Sequence, residues 1–144
     1  MKKEFSTKWK ASKQPRKQRK FIANAPLHLK RKMLSVNLSK PLREKHKTRN
    51  IEVRKGDKVL IMRGGFKKKQ GKVIEIKTKL LKIYIEAMQK KKTDGSKVNV
   101  PFKASNLQIV ELNLDDKKRF RKLGGEGKKE IKKEESKTKV GATA

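Results

Sequence analysis

Just over half of the apolar side chains of this chain fall in one stretch, and that limits what it can build. Residues 51–112 carry 25 of them in 62 positions, while both flanks are dominated by Lys and Arg. One core fits there, and 62 residues lie near the lower limit for a domain that folds unaided. Charge runs the other way. Residues 1–50 hold 17 basic and 2 acidic side chains, residues 51–112 hold 16 and 6, and residues 113–144 hold 11 and 6. A net charge of +30 over 144 residues makes a chain that repels itself in free solution and fits against a polyanion.

Several classes of function drop out at this level. Without Cys, disulfide frameworks, thiolate metal sites and Cys nucleophiles are excluded. No apolar run approaches the ~20 residues of a membrane span, and the first residues do not read as a signal peptide. The expectation is one soluble, intracellular domain with no membrane partner and no small-molecule substrate. It divides into a basic arm (1–24), short helices flanking a barrel (25–50), the barrel itself (51–112), and a short helix with a flexible charged tail (113–144).

In the arm, residues 13–20 are basic and almost without apolar side chains. Alone, such a run cannot offset the entropy of ordering its backbone. Its expected role is an extended counter-charge threading between phosphates. From Ala25 the pattern turns helical, with Asn24 a candidate N-cap and Pro26 in the first turn. Leu27, Leu34 and Leu38 would form a narrow apolar stripe, and Ser39 with Pro41 reads as a second helix start.

Residues 57–112 read as five short strands: 57–63, 72–77, 82–87, 98–100 and 108–112, the fourth halted by Pro101. Val73, Ile74 and Ile76 do not alternate cleanly, which predicts a bulge. Asp94-Gly95 predicts a hairpin turn. Five strands in so short a span predict a mainly β fold, a small closed or nearly closed barrel that hides its edges.

The most informative segment runs from Val53 to Val73. Gly56-Asp57 makes a tight turn into a strand. Gly64, Gly65 and Gly71 then bracket a loop bearing Arg63, Phe66, Lys67, Lys68, Lys69 and Lys72. Glycines there let backbone approach a bulky ligand, and the cations face phosphates. Phe66 either stacks on an unpaired base or folds back over the barrel mouth.

This segment resembles a KOW motif, the element that ribosomal proteins and transcription-elongation factors carry on an SH3-like barrel. More of the chain agrees. Ser12-Lys13-Gln14-Pro15-Arg16-Lys17-Gln18-Arg19-Lys20, Ala25-Pro26-Leu27-His28, Leu38 through Lys45, Val100-Pro101 and Ser105 through Ile109 resemble the large-subunit ribosomal protein L24 family in its archaeal and eukaryotic form. Over roughly residues 12–123 the resemblance implies an SH3-like barrel with a short N-terminal helical segment and extended basic termini. It also implies binding to large-subunit ribosomal RNA, neighbouring large-subunit proteins, an early role in assembly, a place near the polypeptide exit tunnel, and a cytoplasmic location. The tail 124–144 and residues 1–11 match nothing in the family.

The expected RNA-binding residues are Lys13, Arg16, Lys17, Arg19 and Lys20 in the arm, and His28, Arg31, Lys32, Arg43, Lys47 and Arg49 in the helical segment. Arg54, Lys55, Arg63, Phe66, Lys67, Lys68, Lys69 and Lys72 complete the set, with Gly56, Gly64, Gly65 and Gly71 shaping the loop. Arginines are favoured over lysines because guanidinium pairs bidentately with phosphate.

No cofactor, metal or catalytic centre is expected. His28 and His46 are eighteen positions apart with only Glu44 nearby, short of the three or four converging ligands of a metal site. The run Gly65–Lys72 mimics a nucleotide-binding loop, but its glycines are six apart, and Val73 stands where Ser or Thr would bind magnesium. Asp115-Asp116 reads as acidic charge at a helix start. The rival readings are a transcription-elongation module, a peptide-binding barrel and a duplex-DNA binder. The peptide groove is disfavoured because aromatics total only 5%.

Overall fold

The computed structural model describes residues 5–116 and Arg119. Among residues 5–116, three helices, α1 (Pro15–Asn24), α2 (Leu27–Met33) and α3 (Lys40–His46), accompany seven strands. The strands are β1 (Ser35–Leu38), β2 (Asn50–Glu52), β3 (Lys58–Ile61), β4 (Gln70–Lys77), β5 (Lys82–Lys91), β6 (Lys97–Phe102) and β7 (Leu107–Glu111). They form one sheet in the order β2-β1-β7-β3-β4-β5-β6. Only β1 and β7 run parallel, with Asn37 opposite Gln108.

The sheet wraps around its core because β4 serves two partners. Its first half pairs with β3, Val59 opposite Gly71, and its second half with β5, Ile76 opposite Ile83. Between them the register shifts from Val73 to Glu75, the bulge that the broken alternation foretold. Ile74 is thereby turned to solvent, while Val73 stays buried. The fold is mainly β, as expected. However, β2 and β6 remain unjoined ends, so the sheet curls without closing into a complete barrel.

Val36, Leu38, Val59, Ile61, Ile83, Ile85 and Ile109 are fully buried in one cluster. Each contributes on the order of 1.5–3 kcal/mol by burial. Val36 and Leu38 mark the largest departure from the sequence reading. Leu34 and Leu38 do not lie along a helix beside the barrel. The chain leaves α2 after Met33 and enters β1, which pairs with β2 and β7 and brings both leucines into the core. Pairing partners more than ten residues away decided this, and a local helical stripe of leucines carries no trace of them.

The helix starts are also displaced. Asn24 closes α1 and Pro26 occupies the cap position of α2, whereas Ser39 and Pro41 do begin α3. Pro101 does not halt β6, which continues to Phe102. As an edge strand, β6 tolerates a residue that cannot donate to the ladder.

The basic run 13–20 is helical rather than extended. Pro15 sits in the first turn of α1, and the Gln18 side-chain amide donates to the carbonyls of Trp9, Lys10 and Ser12. Phe21 is buried against Phe5, their rings stacked at 5.3 Å, and Lys20 lies over the Trp9 ring. The apolar contacts that order the run are thus supplied by residues on either side of it. Lys30, also buried, donates to the carbonyls of Ala23 and Lys79, tying the end of α1 and α2 to the β4–β5 turn.

The β5–β6 hairpin turns as foreseen. Gly95 adopts φ +85°, and Asp94 Oδ1 accepts from both the amide and the hydroxyl of Ser96. The Ser96 hydroxyl, then its amide, holds the Asp94 carboxyl below its ordinary value.

Candidate nucleic-acid interface

The glycine–aspartate turn is the structural key to the surface. Asp57 is fully buried. Its carboxylate accepts from the Arg54 amide at 2.8 Å, from the Asn113 amide at 2.9 Å, and bidentately from Arg119 at 2.6 and 2.7 Å. Arg119, equally buried, also donates to the carbonyls of Asn113 and Glu52. One carboxylate therefore joins the turn, the end of β7 and the segment beyond it. Gly56 is needed beside it, because its φ is +84° and a Cβ would meet the Asn113 side chain at 2.6 Å. The sequence reading took Asp57 as a turn residue and missed Arg119. A lone arginine in a basic run gives no signal of burial.

Gly71 differs from its expected role. It does not open the loop to a ligand. A Cβ there would meet Ile85 Cγ2 at 2.7 Å and the Glu86 carbonyl at 3.0 Å, so its absent side chain lets β4 cross β5 closely. Gly71→Ala is expected to cost about 1–3 kcal/mol by overpacking, read as a lowered urea midpoint with an unchanged slope. Gly64 (φ +89°) and Gly65 stand in open space at the loop entrance.

The loop between β3 and β4 is fastened down. Across it the Ile61 carbonyl accepts from the Lys68 amide, the Ile61 amide donates to the Lys69 carbonyl, and the Met62 amide donates to the Asn106 carbonyl. Phe66 folds back onto the core, its ring edge-on to Phe102 with centroids 6.0 Å apart, and Lys69 lies over its face. Of the two alternatives for Phe66, the structure takes the packed one. Arg63, Lys67, Lys68, Lys69 and Lys72 are exposed around it.

Elsewhere the expected cations divide by what holds them. Lys13, Arg16, Lys17, Arg19 and Lys20 are exposed on and before α1, whose first turn holds no acid to balance Arg16 and Lys17 against the helix dipole. His28, Arg31 and Lys32 are exposed on α2, and Lys47 and Arg49 follow α3, Lys47 in the left-handed region at φ +51°. Arg43 is half-buried and donates to the Leu38 carbonyl at 2.7 Å, so part of its capacity is already used. Arg54 is paired with Asp116, which corrects the reading of that acid as helix-start charge alone. The proposed helix over 117–122 and the tail lie outside the described residues, Arg119 apart. Arg31 joins the adjacent Arg54 and Lys55, over twenty positions later in the sequence, in lining one cleft.

The sheet adds cations that, Lys72 apart, the sequence reading left out. Lys58 faces Lys72, Lys77 faces Lys82, and Lys91 faces Lys97 as directly opposed cross-strand pairs. Like charges so placed are destabilising. Glu111 relieves the first at 2.8 Å, and Glu75 with the Tyr84 ring relieves the second. Neither Lys91 nor Lys97 forms an ion pair among the described residues. Counting outward from Asp94-Gly95 as a two-residue turn would put Lys92 opposite Lys97; the loop takes in residue 93 as well, Lys92 bonds to Ser96, and Lys91 comes to face Lys97.

A curled, mainly β sheet displaying cations that its own acids do not all balance defines a small cationic β module. Residues 12–125 match the family model of ribosomal proteins L26 (eukaryotic) and L24 (archaeal). The chain is also 46% identical over 133 residues to the large ribosomal subunit protein uL24 of Nanoarchaeum equitans (strain Kin4-M), covering 91% of this chain and 90% of that one. The chain belongs to this ribosomal protein family. Membership makes it a non-enzymatic constituent of the large ribosomal subunit, acting in translation in the cytoplasm.

Proposed function

We propose that the chain binds large-subunit ribosomal RNA directly, joins the particle early in its assembly, and sits near the polypeptide exit tunnel beside other large-subunit proteins. The observation that carries the RNA contact is the opposed pair Lys91–Lys97, together with the unbalanced first turn of α1. A fold that tolerates such repulsion is relieved when phosphates supply the missing charge. The exposed residues Arg16, Arg19, Arg31, Arg49 and Arg63 are the leading contacts, through bidentate pairing with phosphate. Shape and unpaired loops supply specificity, because side chains cannot read the deep major groove of an RNA helix.

The arm acts as a separable clamp in this reading. Deleting residues 1–20 is expected to leave the cooperative melting transition of the sheet in place while weakening the binding of a large-subunit RNA fragment. Loss of the transition would make the arm part of the core. Unchanged RNA affinity would remove it from the interface. The full chain is expected to sediment with large subunits through a moderate salt wash, and release into the supernatant would overturn the proposal.

A further inference from the structure

The cleft that Arg31, Arg54 and Lys55 share also contains acids and an apolar floor, a mixture that phosphate binding alone does not call for. Its volume is about 500 Å³, within the ~300–1,000 Å³ usual for small-molecule sites. Leu34, Val53 and Ile76 form the floor, all drawn from the core or packed on it. Asp115 and Asp116 also line it, carried there by the segment that Arg119 and Asp57 hold in place.

Glu52 lines the cleft too, so three acids match the three basic side chains in number, and the two aspartates differ. Asp116 is engaged with Arg54. Asp115 has its amide bonded to the Asn113 side chain, but its carboxylate is exposed and forms no ion pair among the described residues. The Asp115 carboxylate at the edge of this charge-balanced cleft repels phosphate. It favours a group that offers two adjacent N–H donors, and among the nucleobases guanine does this, through N1–H and the N2 amino group.

We infer that this cleft receives one unpaired guanosine of a single-stranded RNA segment. The base rests on the apolar floor, its donor edge on Asp115, and its flanking phosphates lie against Arg31 and Lys55. This inference rests on the RNA-binding reading above and adds to it a base preference and a place.

The test uses the full chain and short single-stranded RNAs: uridine only, and the same strand with one central guanosine or inosine. The guanosine strand is expected to bind about tenfold tighter than the uridine strand, the usual worth of a bidentate base contact. Inosine, which lacks the N2 amino group, falls between them. In Asp115→Asn the ratio of guanosine to uridine affinity falls close to one. Equal affinities for all three strands in the unaltered protein would overturn the inference, as would a ratio that survives Asp115→Asn. Failure to bind any strand, or a large-subunit RNA fragment, would instead overturn the RNA-binding reading beneath it. With 6-thioguanosine in place of guanosine, photo-cross-links are expected in residues 52–55 or 113–116, and cross-links confined to α1 would also overturn the placement.

Discussion

Asp57→Ala will leave the protein at the edge of stability. Four donors converge on that carboxylate, two of them from a guanidinium that is itself buried. Removing it strands the Arg119 charge with only two carbonyls. Breaking a buried pair in this way costs about 3–5 kcal/mol, against a total of about 5–15 kcal/mol for a small domain. The urea midpoint should fall accordingly, and the amides of Arg54 and Asn113 should lose their protection from hydrogen exchange first. The double variant Asp57→Ala/Arg119→Met should recover part of the loss, because no unpaired charge then remains. A single variant that melts within about 1 kcal/mol of the original would show that the carboxylate is not the junction described here.

Affinity for a large-subunit RNA fragment will fall about 10³–10⁵-fold between about 50 and 200 mM monovalent salt, if six to ten phosphates are neutralised. The division of cations sharpens this expectation. Arg63→Ala or Lys67→Ala removes an exposed cation that no described acid holds, and each should lower the salt slope by about one. Lys58→Ala removes a cation already paired with Glu111, so its effect on the slope should be smaller. A filter-binding titration with a flat salt response would contradict a phosphate-dominated contact. Equal slopes for Arg63→Ala and Lys58→Ala would show that ion pairing in the fold does not sort the cations that reach RNA.

What could be read from residues alone followed from short-range causes. The apolar concentration in residues 51–112 located most of the core, Leu34, Val36 and Leu38 excepted. The Asp94-Gly95 turn, the broken alternation at Val73–Ile76 and the start of α3 at Ser39–Pro41 each depend on a few adjacent residues, and the structure has all three. The family resemblance was equally legible, because it lies in contiguous motifs. The structure was needed wherever a partner is remote. Leu34 and Leu38 entered the core because β1 found β7 some seventy residues later, and α1 is ordered by Phe5 and Trp9 outside its own basic run. Gly71 proved to be a packing glycine because Ile85 crosses it. The same holds for the cations. The sequence determined their number and their excess over acids. The tertiary structure alone decided that Arg119 is buried on Asp57, that Arg54 is held by Asp116, and that Lys91 and Lys97 oppose each other. Charge is a property of residues, whereas its neutralisation depends on distances of a few ångströms that only the folded chain sets.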